Sequence, residues 1–416
     1  MVIIKRLSNG IPVVLEQIEY LRSVSFGVYV KAGSAFETKE NNGISHLLEH
    51  MFFKSTKKRT AKQIADEMAH IGGNLNAFTE KETTSFYVTA LEEQLPASIE
   101  LIGDMLTNAL FLEEELEKEK GVVLEEIDMY DDSPEDLVHE MLQKCAWKDE
   151  ALGFIISGEK DVVKGITREE LFAFKESVYT ADRITLSIAG KFDVEETMKR
   201  LEESFASFQP AKVDVPLVKP NYQPAVFCRT KDIEQVHLNI AFDSVSYQSD
   251  EKYVLYLMNT ILGGGDNSRL FQKLREEEGL TYSIYSYESM YEEAGLFHTD
   301  AVLNPSKLPT ALAQIEEAIE ILCKDGVTEN ELAQAKQQLK TDLIIGNEST
   351  KAKIFNNGKS FLMKGYIRTV DEVLEDIYRV TCEDVANFAR KYLKWEKKSV
   401  SLVGNITEGE VELLLS

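Results

Sequence analysis

Two halves of the chain repeat one another, and this limits the available folds more tightly than any single motif. Val24–Val30 aligns with Val236–Phe242 at a shift of 212 residues, both with the alternating pattern of a strand. Thr167-Arg168-Glu169-Glu170-Leu171 aligns with Thr381-Cys382-Glu383-Asp384-Val385 at a shift of 214. Each reads as an N-cap threonine ahead of acidic residues in a first helical turn. Ile184–Gly190 aligns with Lys398–Gly404, again at 214, strand-like and closed by glycine. Between the halves, residues 209–222 hold three of the nine prolines and read as a linker. The expected organisation is therefore residues 1–208, a linker at 209–222, and a homologous second domain at 223–416.

At 416 residues and 44% hydrophobic content, the chain has apolar material for more than one core. Within each half, strands and long charged helices alternate irregularly, with hairpin-like pairs among them. That predicts an α+β class, with helices on one face of a largely antiparallel sheet. Gly263-Gly264-Gly265 lacks the spacing and the lysine of a phosphate loop, which argues against a nucleotide enzyme.

No run approaches 18 apolar residues, and Met1–Leu7 is too short and too soon charged for a signal peptide. Cys145, Cys228, Cys323 and Cys382 lie far apart and form no C-x-x-C pair, as free thiols of a reducing compartment do; the expected location is cytoplasmic. A net charge of −25 repels nucleic acid and anionic membranes and favours encounter with basic peptides.

Two of the six histidines sit in Gly43-Ile44-Ser45-His46-Leu47-Leu48-Glu49-His50-Met51. Ile44 to Phe53 reads as a helix that Ser45 can cap, with Leu47, Leu48, Met51 and Phe52 apolar. At 3.6 residues per turn, His46, Glu49 and His50 share one face. Two neutral imidazoles at that spacing can grip one Zn²⁺, with the carboxylate between them beside the water to be activated. An ordinary surface helix carrying two histidines is the other reading, and the choice turns on a third ligand.

Leu112–Tyr130 is strongly acidic, yet its apolar stripe runs through Leu116, Val123, Ile127 and Tyr130. Glu119 and Glu126 fall within roughly 60° of Val123, whereas Glu125 points almost the opposite way. A carboxylate on a buried stripe needs a cation, a metal or a proton as partner. Zinc held by the two histidines meets that need for Glu126. Glu119, two turns earlier on the same face, is then placed to orient a ligand or water from behind.

His46-Leu47-Leu48-Glu49-His50 is the inverted zinc motif H-x-x-E-H. With Glu119 and Glu126, it resembles the signature of the pitrilysin/insulysin zinc metallopeptidases, and the similarity covers the whole chain. It is nearest to the processing-protease subgroup, which includes the mitochondrial processing peptidase β-subunit and compact bacterial relatives. The resemblance implies a zinc-dependent endopeptidase with one Zn²⁺ per chain on His46, His50 and Glu126, Glu49 as general base and Glu119 assisting. It implies that Asn76 and Ala77, in Gly72–Thr79, contact the backbone of extended substrate by strand addition. In the second half it implies that Arg275 positions the substrate and that Tyr282, seven residues on, hydrogen-bonds the developing oxyanion.

At the shift of 212, His46–His50 align with Met258-Asn259-Thr260-Ile261-Leu262, which cannot bind zinc. One site per chain follows. Chains of this length in the family pair to enclose substrate, which implies a homodimer of clamshell form. Two other functions stay open at this level: a non-catalytic assembly subunit, and a peptidase making one defined cut in a targeting presequence. His70, His139, His237 and His298 need no catalytic role.

Overall fold

The computed structural model describes residues 2–211 and 217–415, so part of the expected linker, residues 212–216, lies outside the described residues. The first sheet comprises β1 (Val2–Arg6), β2 (Pro12–Gln17), β3 (Ser23–Val30), β4 (Asn74–Thr79), β5 (Thr84–Leu91) and β6 (Ile184–Gly190). Their spatial order is β1-β2-β6-β3-β5-β4. The second comprises β7 (Val226–Thr230), β8 (Val236–Ser244), β9 (Thr281–Met290), β10 (Gly295–Leu303) and β11 (Ser399–Gly404), in the order β7-β11-β8-β10-β9. Each sheet has a single parallel pair, β2–β6 in one and β7–β11 in the other, and is otherwise antiparallel.

The two orders are the same path traced twice, with β1 added to the first. Each aligned sequence pair falls on equivalent elements: β3 with β8, β6 with β11, and helix Arg168–Val178 with helix Cys382–Tyr392. Thr167 and Thr381 both form capping boxes, with Glu170 and Asp384 reaching back. Gly190 and Gly404 close the paired strands at φ 127° and 157°. A Cβ there would lie 2.4 Å from the Ser23 carbonyl oxygen or 2.7 Å from that of Gln235, so glycine recurs for one steric reason.

Compact units do not follow the contiguous division expected from the sequence. One unit comprises residues 1–127, 154–216 and 345–367; the other comprises 128–153, 217–344 and 368–416. Helix Thr350–Lys364, from the second half, packs on β2, β3 and β6. Helix Pro134–Trp147, from the first half, packs on β7, β8 and β11. The halves have exchanged a helix, so 1–208 and 223–416 are sequence repeats without being the compact bodies.

The exchange also alters the layer expectation. Side chains of β3 alternate between faces. Phe26 meets Phe205 of helix Val194–Phe205 on one face, while Tyr29 meets Phe355 of the exchanged helix on the other. Ser25, on that second face, shares a hydrogen bond of 2.8 Å with Thr350. Both faces of the central strands are covered, where one was expected, and every residue of β6 is buried. Gly358 makes the close approach possible: a Cβ there would lie 2.3 Å from the Tyr29 ring.

In the second unit the exchanged helix brings His139 into a polar cluster on the sheet. Its Nδ1 lies 2.6 Å from the Tyr287 hydroxyl and its Nε2 3.3 Å from Asp300, while His298 Nδ1 lies 3.0 Å from Asn239 Oδ1. His139 ties the helix to the strands, and His298 links β10 to β8. No helix among the described residues is long and apolar enough to cross a membrane.

Candidate metal centre

The helix Ile44–Phe52 rests on β4 and on helix Arg168–Val178. Leu47, Leu48, Met51 and Phe52 are fully buried, each contributing about 1.5–3 kcal/mol of apolar transfer. That anchors one face and leaves His46, Glu49 and His50 on another. Ser45 does not cap the helix: Gly43 is the N-cap residue, and no side chain bonds to the helix start from that position. Glu37 takes over, its carboxylate accepting from the backbone N–H of Gly43 at 2.7 Å and of Ser45 at 2.8 Å. A buried acceptor meets the orphan amides, and its charge suits the positive helix end.

The acidic helix Glu113–Asp132 supplies the remaining ligand. Leu116, Glu119 and Val123 are buried and Glu125 is exposed, as its periodicity predicts. Tyr130 departs from that reading: it is 39% exposed, because the buried stripe ends near Ile127.

His46 Nε2, His50 Nε2 and Glu126 Oε2 form a triangle with edges of 3.3, 3.5 and 3.7 Å. Donors about 2.0–2.1 Å from a tetrahedral zinc stand roughly 3.3–3.4 Å apart, so the triangle has the size of one face of that tetrahedron. Among the described residues this is the one group of three such side chains within metal-binding distance. The donor set fits Zn²⁺, and His46, His50 and Glu126 are placed to hold it.

Surrounding groups prepare these ligands. His50 Nδ1 lies 2.9 Å from Glu119 Oε1, so the ring donates from Nδ1 and keeps its Nε2 lone pair for the metal. Glu119 is also paired with Lys54 at 2.5 Å. Burial alone would raise the Glu119 pKa, but the bonds from His50 and Lys54 hold it below the ordinary carboxylate range. Burial, with His50 beside it, pushes His46 down to about 3, so that ring is neutral. Burial lowers His50 too, but Glu119, Glu126 and Glu49 outweigh it and the net shift is upward. The same carboxylates make the site attractive to a dication.

Glu49 lies beside this triangle and accepts a hydrogen bond of 2.5 Å from the Thr79 hydroxyl. Burial raises its pKa, with Glu126 adding to the rise and Thr79 and His50 opposing it. Asn76 and Ala77 lie in β4, an edge strand, and the Asn76 side chain accepts from the Ala77 backbone N–H at 2.9 Å. His46, Glu49, His50, Glu119, Glu126, Asn76 and Ala77 thus all belong to the first compact unit.

Arg275 and Tyr282 belong to the second unit, where the guanidinium stands 5.3 Å from the Tyr282 ring centre and 4.7 Å from that of Phe271. Arg275 lies in a π-helical stretch, Phe271–Glu277, and Tyr282 is 78% exposed. Helix Lys252–Leu262, equivalent to the metal helix, packs on β9 and buries Met258, Ile261 and Leu262 where the first unit has its site.

Sequence reasoning did not find Glu37, Lys54 or Thr79. Lys54 carried the one available signal, standing one turn beyond His50 on the side toward Glu119.

Comparison with known proteins gives a consistent result. Residues 12–160 match the family described as Insulinase (Peptidase family M16), and residues 165–339 match the Peptidase M16 inactive domain. An uncharacterized zinc protease of Bacillus subtilis is 38% identical over 383 residues, 92% of this chain and 93% of that one. Another, from Streptomyces coelicolor, is 33% identical over 98% of this chain and 90% of its own length. A protease structure from Helicobacter pylori superposes with a TM-score of 0.90 at 21% identity, covering 97% of this chain and 99% of the other, which shows a shared fold.

Proposed function

The chain belongs to the M16 (pitrilysin/insulysin) family of zinc metallopeptidases, and from that premise we propose that Glu49 is the general base of a peptide-bond hydrolysis carried out beside His46, His50 and Glu126. The observation that carries this reading is the zinc-sized triangle with the Glu49 carboxylate projecting from the same helix.

Zinc, when bound, supplies a Lewis acid that polarises the scissile carbonyl and makes water a nucleophile near neutral pH. Glu49 takes the proton of the attacking water and passes it to the leaving amine. Its raised pKa suits the first step, since a carboxylate of higher pKa is the stronger base towards the attacking water. Thr79 fixes the carboxylate, and Glu119 fixes the His50 ring.

Substrate adds to the open edge of β4, with the backbone of Asn76 and Ala77 pairing to it. The bond from Asn76 to the Ala77 amide occupies that donor until a strand arrives. Residues 1–208 carry the catalytic groups and residues 223–416 contribute Arg275 to position the chain and Tyr282 to donate to the oxyanion. The net charge of −25 favours basic peptide segments over nucleic acid. The enzyme works as a cytoplasmic homodimer; the free state of all four cysteines supports the compartment.

Glu49→Gln tests the assignment. It is expected to keep one zinc per chain and lose at least roughly 10²-fold in turnover of an unfolded basic peptide. Turnover within a few fold of wild type would remove Glu49 from the role.

A further inference from the structure

Along helix Arg168–Val178, the first unit has a half-open pocket of about 580 Å³ that the peptidase reaction does not use. Its lining includes Lys57, Arg168, Phe172, Lys175, Thr180 and Phe208. Lys175 is the unusual member. It projects from helix Arg168–Val178, and its ammonium stands 5.7 Å from the Phe52 ring centre and 5.8 Å from that of Phe111. Both rings are fully buried. Among the described residues, no carboxylate stands within ion-pair distance of this ammonium. The buried hydroxyl of Thr180 likewise has no hydrogen-bond partner.

Three cations and one carboxylate, Glu176, line this space in a chain whose net charge is −25. Arg168 is already committed, donating to the carbonyls of Phe111 at 2.8 Å and Leu110 at 3.1 Å and lying over Phe172. That leaves the half-buried Lys175 and the exposed Lys57 as the cations still open to a ligand. An amine kept among aromatic rings without an anion is costly, and burial, with Lys57 adding to it against Glu176, lowers its pKa to about 8. The volume lies within the range of small-molecule sites, which combine apolar walls with few polar groups.

We propose that this cavity binds a small carboxylate bearing an aromatic group, its anion paired with Lys175 and its ring against Phe172 and Phe208. A half-buried cation beside the Phe172 and Phe208 rings favours a monoanion with a flat apolar body over a compact, strongly hydrated dianion. A free aromatic acid and the C-terminus of a peptide ending in phenylalanine share that chemistry.

The test uses the zinc-loaded enzyme with 3-(4-bromophenyl)propanoate, because a carboxylate can also bind the metal. Crystals soaked with it are expected to show anomalous bromine signal between Phe172 and Phe208. Signal confined to the metal centre, or none, overturns the proposal. In calorimetry, Lys175→Met is expected to weaken binding of the acid at least roughly tenfold, and the neutral amide of the acid is expected to bind as poorly to wild type. An amide that binds as well as the acid, or inorganic phosphate that binds in its place, contradicts the assignment. Acetyl-alanyl-phenylalanine separates the sources: Lys175-dependent binding stronger than that of the free acid identifies a peptide terminus, and weaker binding identifies a free acid. Should Lys175→Met fail to fold, the bromine position in wild type still decides.

Discussion

Glu119 Oε1 stands 2.9 Å from His50 Nδ1, and its other oxygen stands 2.5 Å from Lys54 Nζ. One carboxylate therefore fixes the tautomer of a metal ligand while its own charge is answered by a lysine. Glu119→Gln keeps the shape but forfeits the anion, and is expected to weaken zinc binding roughly 10–100-fold. Competition against a fluorescent zinc chelator measures this, and an unchanged affinity would show that the His50 tautomer is set elsewhere.

Thr79→Val removes the 2.5 Å bond to Glu49. The hydroxyl opposes the upward shift that burial imposes on Glu49, so its loss raises that pKa further. Because the base must be ionised to act, the acid limb of kcat/KM moves to higher pH. Loss of the orienting bond also lowers kcat by roughly tenfold. A pH–rate profile superimposable on wild type would deny Thr79 this role.

Glu37→Ala leaves the buried amides at the start of the metal helix without an acceptor. At about 1–3 kcal/mol for each orphaned group, the first unit is expected to lose roughly 3 kcal/mol. The readout is a lower thermal midpoint together with faster zinc loss to a chelator.

Arg269 grips Glu331 with two bonds, Nε to Oε1 at 2.7 Å and Nη2 to Oε2 at 3.0 Å. Burial would raise the Glu331 pKa, but Arg269 and Thr328 bring it down to about 2 from 4.5. A depressed carboxylate stabilises the fold above its unfolded pKa, and that contribution fades as pH falls from 4.5 towards 2. Wild type is thus expected to exceed Glu331→Gln in unfolding midpoint at pH 6, with the gap closing as pH approaches 2. A gap independent of pH would contradict the linkage.

The three side chains of the metal-sized triangle were legible because helical periodicity is a local property. His46 and His50 are four apart, and Glu126 lies within a quarter turn of buried Val123 while Glu125 does not. The repeat was legible for a similar reason, since capping threonines and closing glycines leave marks at fixed shifts. Glu37, Thr79 and Lys54 were harder: Glu37 and Thr79 reach the site through strand pairing and loop geometry, and a lone lysine after a helix carries little information. The exchanged helices could not be read at all. An apolar stripe on residues 134–147 or 350–364 says that a face is buried, but not which of two similar sheets covers it. Tyr130 shows the reverse failure, where a periodic stripe outlasts the surface that buries it.

The most direct test of the account is zinc stoichiometry in the purified protein, measured beside peptidase activity for wild type and for His50→Ala. One zinc per chain is expected in wild type, with zinc and activity lost together in the variant. A metal-free preparation at full activity, or a His50→Ala protein that keeps both, would contradict it.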